Sequence, residues 1–478
     1  MYKYLLIYFT IFSSFTLYAQ KPTTLSVVTF GANGQDEVED TDAFQQAIDR
    51  LSETGGGVLL VPTGTYYIKH LKFFGKRYSN ITIKGENAII QQMVPNQRTK
   101  VHNGLYNTYA ERYAADGCFV FEAEASTQKN DSRSIKNIKL QGLTFKSDVD
   151  KKGFDELLHQ VSAHGVSNFI IEDCSFIGFY GDGVAINAGT DLRRYAYAYN
   201  KDVQIKNCFF DGINKDNRQG VSIYYCDNFI IENCKFNNIT RNDMPGAIDI
   251  EPDKDFLVSR NGIIRNCTFT NIGGIAAINI VLQPSTSINK FSNRNYIIEN
   301  CTFNKVKSAI GVIGNDSFTS FESSDYFIIF RNSKVSNSFS TLDLRKAYGV
   351  LVDNVDFSNI YNTTNNVVTD GGASKITFNK CNFDNIKNKN GLGFHGETRG
   401  INFTGNTFKN FAIHAITINK AEGVGEITGN KFLSTKYKGG YPLVIPRNTS
   451  PNKLGKSVVK NNLSANNFIN LSLKEFIK

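Results

Sequence analysis

The chain has 478 residues, with 39 Gly, 37 Phe, 22 Tyr, 9 Pro and no Trp, and 41% of it is hydrophobic, enough for an extended core. The formal net charge is +9 at pH 7, but the 53 Lys and Arg are dispersed rather than run together, which argues against a nucleic-acid partner. An excess of that sign suits an anionic ligand held by charge-assisted hydrogen bonds from Arg, or reflects the bias of a Lys- and Asn-rich proteome.

Residues 1–20 read as a secretory signal peptide. Lys3 precedes an apolar run from Leu5 to Phe15, and the small residue Ala19 places cleavage after Ala19 or Gln20. The run is too short to span a bilayer, and no cysteine near the cleavage point offers a lipid anchor. The mature chain is therefore expected outside the cytoplasm, periplasmic or extracellular, with no membrane segment. No Pro- or Ser-rich linker divides residues 21–478, so a single domain is expected.

The next segment contains Phe30-Gly31-Ala32-Asn33-Gly34, then Asp40-Thr41-Asp42-Ala43-Phe44-Gln45-Gln46-Ala47-Ile48-Asp49, then Gly55-Gly56-Gly57 leading to Val61-Pro62-Thr63-Gly64-Thr65-Tyr66. Asp40 or Thr41 is expected to cap a short amphipathic helix with Ala43, Phe44, Ala47 and Ile48 inward, closing the end of the fold against edge pairing. This opening resembles that of the pectate-lyase-like β-helix proteins, with a rhamnogalacturonase/epimerase-like motif. The resemblance implies architecture and leaves the chemistry open, because hydrolases, lyases, epimerases and phage tailspikes share it.

From residue 170 onward one phrase recurs: an aliphatic strand, Asn-Cys or Asp-Cys, and a Phe two residues later. It occurs at Asp173-Cys174-Ser175-Phe176, Asn207-Cys208-Phe209-Phe210, Asn233-Cys234-Lys235-Phe236, Asn266-Cys267-Thr268-Phe269 and Asn300-Cys301-Thr302-Phe303, with cysteine spacings of 34, 26, 33 and 34 residues. Weaker copies stand at Cys381-Asn382-Phe383 and Asn406-Thr407-Phe408. Repeats of this length without helical periodicity predict stacked β coils, each burying an apolar row against the next. The expected fold is all-β: a right-handed parallel β-helix of the pectin-lyase-like kind with a short N-terminal capping helix. Stacked Asn would bond along the axis while Cys and Phe fill the interior. Most of the 8 Cys share one slot of successive coils, so Cys174, Cys208, Cys234, Cys267 and Cys301 are read as a core ladder rather than disulfides, and neither cysteine spacing nor the six scattered His supports zinc.

Each coil ends in a strand beginning with glycine: Gly183-Val184-Ala185-Ile186, Gly220-Val221-Ser222-Ile223, Gly246-Ala247-Ile248-Asp249-Ile250 and Gly274 to Ile280. With the Ile residues inward, period-two alternation turns Asn187, Tyr224, Asp249, Glu251 and Asn279 outward, with Asp253 and Gln283 past the strand ends. Asp343 and Arg345 follow some coils on. Such a face suits hydroxylated, charged sugars. Asp249-Ile250-Glu251-Pro252-Asp253 is its sharpest constellation. Residues two apart project from one face with Cα atoms roughly 6.6 Å apart. Inverting glycosidases hold an acid and a base carboxyl about 6.5–9.5 Å apart, and crowded carboxylates push one pKa upward. The same acids, with Asp255, also fit a structural calcium site or a solvated turn; no cofactor is otherwise required.

Tyr224-Tyr225-Cys226-Asp227-Asn228, the strand through Glu251 and Asp253, and Gly274-Ile275-Ala276-Ala277 resemble three successive coils of the iota-carrageenases. The resemblance implies an inverting hydrolase with Glu251 as acid and Asp253 as base. It departs from that family where Asp249 replaces a basic residue, Gln283 a histidine, and Ser222 a glutamine with Gln219 nearby, which bears on sulfated-galactan specificity. Tyr180-Gly181-Asp182-Gly183 matches the polygalacturonase segment only at Asp182, and Arg218-Gln219-Gly220 stands where those enzymes carry histidine. Asp182, Arg218 and Gln219 are left as groove-margin binding residues. Arg193 and Arg194, among Tyr195, Tyr197 and Tyr199, and Arg241 before the Glu251 strand are expected to bind substrate. His395 and Glu397 would sit several coils away. The leading expectation is a monomeric, exported polysaccharide hydrolase acting on an anionic polymer. The alternatives are a lyase or uronate epimerase using Tyr224, Arg218 and Arg241, and a non-catalytic glycan-binding β-helix.

Overall fold

The computed structural model describes residues 22–93, 117–124, 133–187, 200–252, 257–284, 293–315, 325–363, 368–369, 372–433, 443–444, 458–460, 462–464 and 467–469. The expected leader lies outside them. The described chain is a right-handed parallel β-helix with three strand faces. One coil runs through Cys226–Glu232, Lys235–Ile239 and Ile248–Ile250 before Ser259–Arg265 begins the next. Successive coils pair in parallel and in register, as in Ile231↔Ile264, Phe236↔Phe269 and Asp249↔Asn279. The antiparallel pairing of Asn462–Ser464 with Asn467–Ile469 is the exception among the described strands. No described helix is long and apolar enough to cross a membrane.

The recurring phrase is the corner between the first two faces. Asn207, Asn233, Asn266 and Asn300 adopt φ of 54°, 56°, 55° and 54°, a left-handed conformation that Asn tolerates better than most residues. The Asn233 amide donates to Asn207 (3.3 Å) and Asn207 donates to Asp173 (3.2 Å), so the corners bond along the axis. The next residue turns inward. All eight cysteines are buried and unpaired, and in this slot each thiol donates to the carbonyl two residues back, as in Cys208 to Lys206 (3.1 Å) and Cys234 to Glu232 (3.3 Å). Two residues on, the rings of Phe145, Phe176, Phe210, Phe236, Phe269 and Phe303 stack nearly parallel at centroid spacings of 5.1, 4.7, 4.7, 4.9 and 4.8 Å. That spacing equals the distance between neighbouring strands, so in-register pairing alone sets the stack.

On the solvent side of the first face, Glu172, Lys206, Glu232, Arg265, Glu299, Arg331 and Asp353 are successive register partners. Their signs alternate, with Arg265–Glu232 and Arg331–Glu299 each at 2.6 Å. A one-residue slip would turn this row inward, so the charges reinforce the register set by the core.

The capping helix spans Thr41–Glu53 and buries Phe44, Ala47, Ile48 and Leu51, with Ala43 partly buried. Asp40 stands at the N-cap but its side chain does not cap. It accepts instead from the backbone amides of Asn33 (2.8 Å) and Tyr67 (3.2 Å), tying the helix start to the first coil.

The third face positions the site. Val161–His164, Val184–Asn187, Val221–Ile223, Ile248–Ile250, Ile278–Val281, Ile310–Ile313 and Leu342–Arg345 form a parallel sheet. Ile186, Ile223, Ile250 and Ile280 are register partners and fully buried, as expected. At Gly183 and Gly220, before two of these strands, the phenylalanine column and the backbone of the next coil leave little room for a side chain. A Cβ on Gly220 would lie 3.0 Å from Phe236 Cδ1 and 3.1 Å from the Ala247 carbonyl, and one on Gly183 would lie 3.1 Å from Phe210 Cδ1.

Candidate functional site

The pleat of the third face presents two outward rows. The first is Ser162, Ala185, Ser222, Asp249, Asn279, Gly311 and Asp343. The second runs from Glu122 through His164 to Asn187, and the chain carries it past Ile223 and Ile250 to Tyr224 and Glu251. Asp249 and Glu251 therefore project from one face on one strand, as their spacing predicts.

Outward direction does not make these residues surface residues. Asp249 and Asn279 were expected to meet substrate directly, but their exposures are 0% and 1%. The reason is lateral bonding along the row: Asn279 Nδ2 donates to Asp249 Oδ1 (2.9 Å), and Gln219 Nε2 donates to Oδ2 (3.3 Å). Among charged groups, the Glu251 carboxyl acts on it most strongly. Burial first, then the charge of Glu251, pushes the Asp249 carboxyl well above its ordinary range, against Asn279 and the more distant Arg218 charge. Glu251 is half-buried and so is the member of the pair that reaches solvent.

Asp182 and Gln219, expected at the groove margin, are also buried and lie one layer below. The Gln219 backbone amide donates to Asp182 Oδ1 (3.3 Å), and the Asp182 amide donates to His159 Nδ1 (3.0 Å). Arg218 stands above them, 3.8 Å from Asp182, 3.4 Å from Glu156 and 3.5 Å from the Tyr224 hydroxyl to which it donates. Burial would lower this guanidinium, but Asp182, Tyr224 and Glu156 raise it, so it stays charged. Arg241 was expected beside the catalytic carboxylates. It is instead held by Asp243 through Nε (2.5 Å) and Nη2 (2.8 Å), with its guanidinium 3.7 Å from the Phe154 ring centroid.

Asn187 donates to Ser162 Oγ (3.2 Å), which bonds His164 Nε2 (2.9 Å), forming a second polar group nearer the N-terminus. Gln283 lies beyond the Ile278–Val281 strand, and its carbonyl accepts from Asn293 (2.6 Å). Asp343 binds its own strand neighbour Arg345 at 2.9 and 2.7 Å, three rungs from Asp249. His395 lies on the Leu392–Thr404 strand, paired with Asn419 and outside this row. Asp253, Asp255, Arg193 and Arg194 fall outside the described residues. No group of three or more His, Cys, Asp or Glu side chains able to hold a metal occurs among the described ones.

His159, Glu156 and Ser222 were missed by the sequence reading. The first two precede a groove strand in a segment without the recurring phrase. Ser222 was read only as a replacement, yet it occupies the same row as Asp249, and its Oγ is buried with no partner. The Oε1 of Gln219 and Oδ1 of Asn279 share that condition, so three orphan polar atoms surround one buried carboxyl.

A family model described as rhamnogalacturonase A/epimerase, pectate lyase-like, matches residues 24–268. An iota-carrageenase of Alteromonas macleodii is 30% identical over 151 residues, covering 30% of this chain and 26% of that protein. Among solved structures, the A-module of the mannuronan C-5 epimerase AlgE6 of Azotobacter vinelandii superposes with a TM-score of 0.55 at 15% identity, over 92% of this chain and 99% of its own. A family 28 exopolygalacturonase of Yersinia enterocolitica gives 0.51 at 12% identity, over 92% of this chain and 78% of its own. Both structures share the fold.

Proposed function

Because the chain belongs to the rhamnogalacturonase A/epimerase, pectate-lyase-like family, we propose that it is an exported polysaccharide hydrolase with Glu251 as general acid and Asp253 as general base. The observation that carries the reading is the carboxyl pair of Asp249 and Glu251 in the outward rows of the third face, the first fully buried and the second half-buried, with burial and the charge of Glu251 pushing the Asp249 carboxyl upward. A groove carboxyl adjoining a proton-bearing neighbour is suited to protonating a glycosidic oxygen. Asp253 follows two residues on in the sequence, and an acid and base held about 6.5–9.5 Å apart leave room for an attacking water and give inversion. Pro252, between the two in sequence, is buried.

The iota-carrageenase relative favours a sulfated galactan as the substrate class. Arg218 and Arg241 do not supply free charge for sulfate, being matched by Asp182, Glu156 and Asp243, so that role falls to Arg193 and Arg194. The experiment is a screen of sulfated galactans, pectins, alginate and ulvan by product mass and anomeric configuration. Saturated products of inverted configuration are expected, and Glu251→Gln and Asp253→Asn should each slow the reaction by about 10²–10⁴-fold. Near-full activity in both variants refutes the assignment. The Arg218–Tyr224 contact favours one second reading, elimination at a uronate with the phenol moving the proton. Unsaturated products abolished by Tyr224→Phe would establish it, and binding to a glycan without any product would establish a lectin-like role.

A further inference from the structure

Glu251 is one half of a carboxyl pair, and its other half is buried. The iota-carrageenase resemblance leads one to expect a basic residue two before Glu251, and Asp249 reverses that charge. It is fully buried, both of its oxygens are engaged by amide donors on flanking coils, and Glu251 projects from the same face two residues on, its charge acting on the Asp249 carboxyl. Two neighbouring carboxylates, one of them cut off from water, do not both stay ionised.

We infer that Asp249 and Glu251 hold one proton between them, and that Asp249 is a positioning residue that keeps this proton beside Glu251 for delivery to the glycosidic oxygen. The inference rests on the hydrolase reading for its purpose, though not for its existence. At rest the proton sits on Asp249 and the Glu251 carboxylate accepts it as a hydrogen bond. During cleavage the Asp249 O–H bond breaks as a Glu251 O–H bond forms, and Glu251 gives a proton to the departing sugar oxygen. The charge left on Asp249 falls on the Asn279 and Gln219 N–H groups already pointing at it. The attacking water releases its proton through the base to solvent, and solvent reprotonates the pair.

The groups facing Asp249 from each packed element agree with this. The preceding coil offers Ser222 and Gln219, both neutral, and Arg218, whose charge is shared with Asp182 and Glu156. The following coil offers neutral Asn279, and its own strand offers Glu251. Among the described residues, none of these places an uncommitted cation against the carboxyl.

The test is an infrared difference spectrum at pH 7 of wild type against Asp249→Asn, without substrate. A protonated-carboxyl band present in wild type and lost in the variant is expected. Thermal unfolding gives a second readout. A folded-state proton absent from the unfolded chain makes wild-type stability fall as pH rises above the unfolded Asp value, about 3.9. The Tm difference, Asp249→Asn minus wild type, should therefore grow from about pH 5 to pH 8. Should Asp249→Asn fail to fold, Glu251→Gln, at a half-buried position, should shift the same band by replacing its carboxylate acceptor with an amide. Absence of the band from wild type, or a pH-independent Tm difference, overturns the inference whatever the activity. On a cleaved substrate, Asp249→Asn should lose most activity at the alkaline end, moving that limb of kcat/KM to lower pH. An equal loss at every pH would mean a merely structural Asp249. The band together with a fully active Glu251→Gln would leave the shared proton standing and refute the hydrolase assignment instead.

Discussion

The phenylalanine column is interrupted at one rung, and the interruption can be tested as a double-mutant cycle. Val335 is the register partner of both Phe303 and Phe357, so it occupies the slot where the ring should be. The space is taken by Phe330 from the first face, whose ring meets Phe303 at 5.7 Å and 88° and Phe357 at 6.5 Å and 76°. All four side chains are fully buried. Val335→Phe alone forces a second ring into a filled layer and should cost about 1–3 kcal/mol. Phe330→Val alone opens a cavity and should cost somewhat less than the roughly 3–5 kcal/mol of a Phe→Ala change. The double swap conserves volume and extends the stack by two face-to-face contacts of about 0.5–1.5 kcal/mol each, so it should cost below about 1.5 kcal/mol. The assay is denaturant unfolding of the four proteins followed by far-ultraviolet circular dichroism, with midpoints compared because a solenoid can unfold in parts. Additivity of the two single changes within about 0.5 kcal/mol would refute the idea that one ring substitutes for the other.

Two further outcomes follow from the core and its coupling to the groove. All eight cysteines are buried and unpaired, so a thiol reagent should find no accessible group in the native protein and eight after unfolding without reductant; fewer than eight would reveal a disulfide. Gly220→Ala should push against the stacked Phe236 ring and the Ala247 carbonyl, costing about 1–3 kcal/mol. Because Gln219 adjoins it and donates to Asp249, activity should fall with it, and unchanged activity and Tm would show that the contact relaxes freely.

The fold was legible because its physics repeats. Asn tolerates the left-handed corner, Cys fits the small inward slot after it, and Phe meets its own copy at the strand spacing. Three residue types at fixed offsets therefore report one geometry several times over. The helix was legible from its apolar spacing, but the use of Asp40 was not. Whether a carboxylate caps its own helix or ties two distant amides depends on where Asn33 and Tyr67 arrive. The site was legible in direction and not in depth. Alternation placed Asp249 and Asn279 on the outward face, yet whether an outward side chain reaches solvent depends on its neighbours in the adjoining coils. Sequence separations of 30 residues bring Gln219 and Asn279 onto Asp249, and no local pattern announces that. Arg241 shows the opposite limit, since a partner two residues away, Asp243, claimed it before the groove could.

Where a solenoid stops repeating, stacking alone does not account for the residues present. The column Phe176, Phe210, Phe236, Phe269 and Phe303 keeps one residue type through five coils, whereas the outward row at the same coils reads Ala185, Ser222, Asp249, Asn279 and Gly311. Stability would be served better by repetition there too, with Thr or Asn ladders satisfying each other. Instead the row buries an acid between two amides and leaves polar oxygens of Ser222, Gln219 and Asn279 without partners, each an expense of about 1–3 kcal/mol. Such a deficit persists in a folded chain when the groups are needed in that arrangement. The most unfavourable residue of the row, Asp249, adjoins the one carboxyl of that strand that reaches the groove. That coincidence, more than any single distance, supports the proposal that Glu251 is the acid.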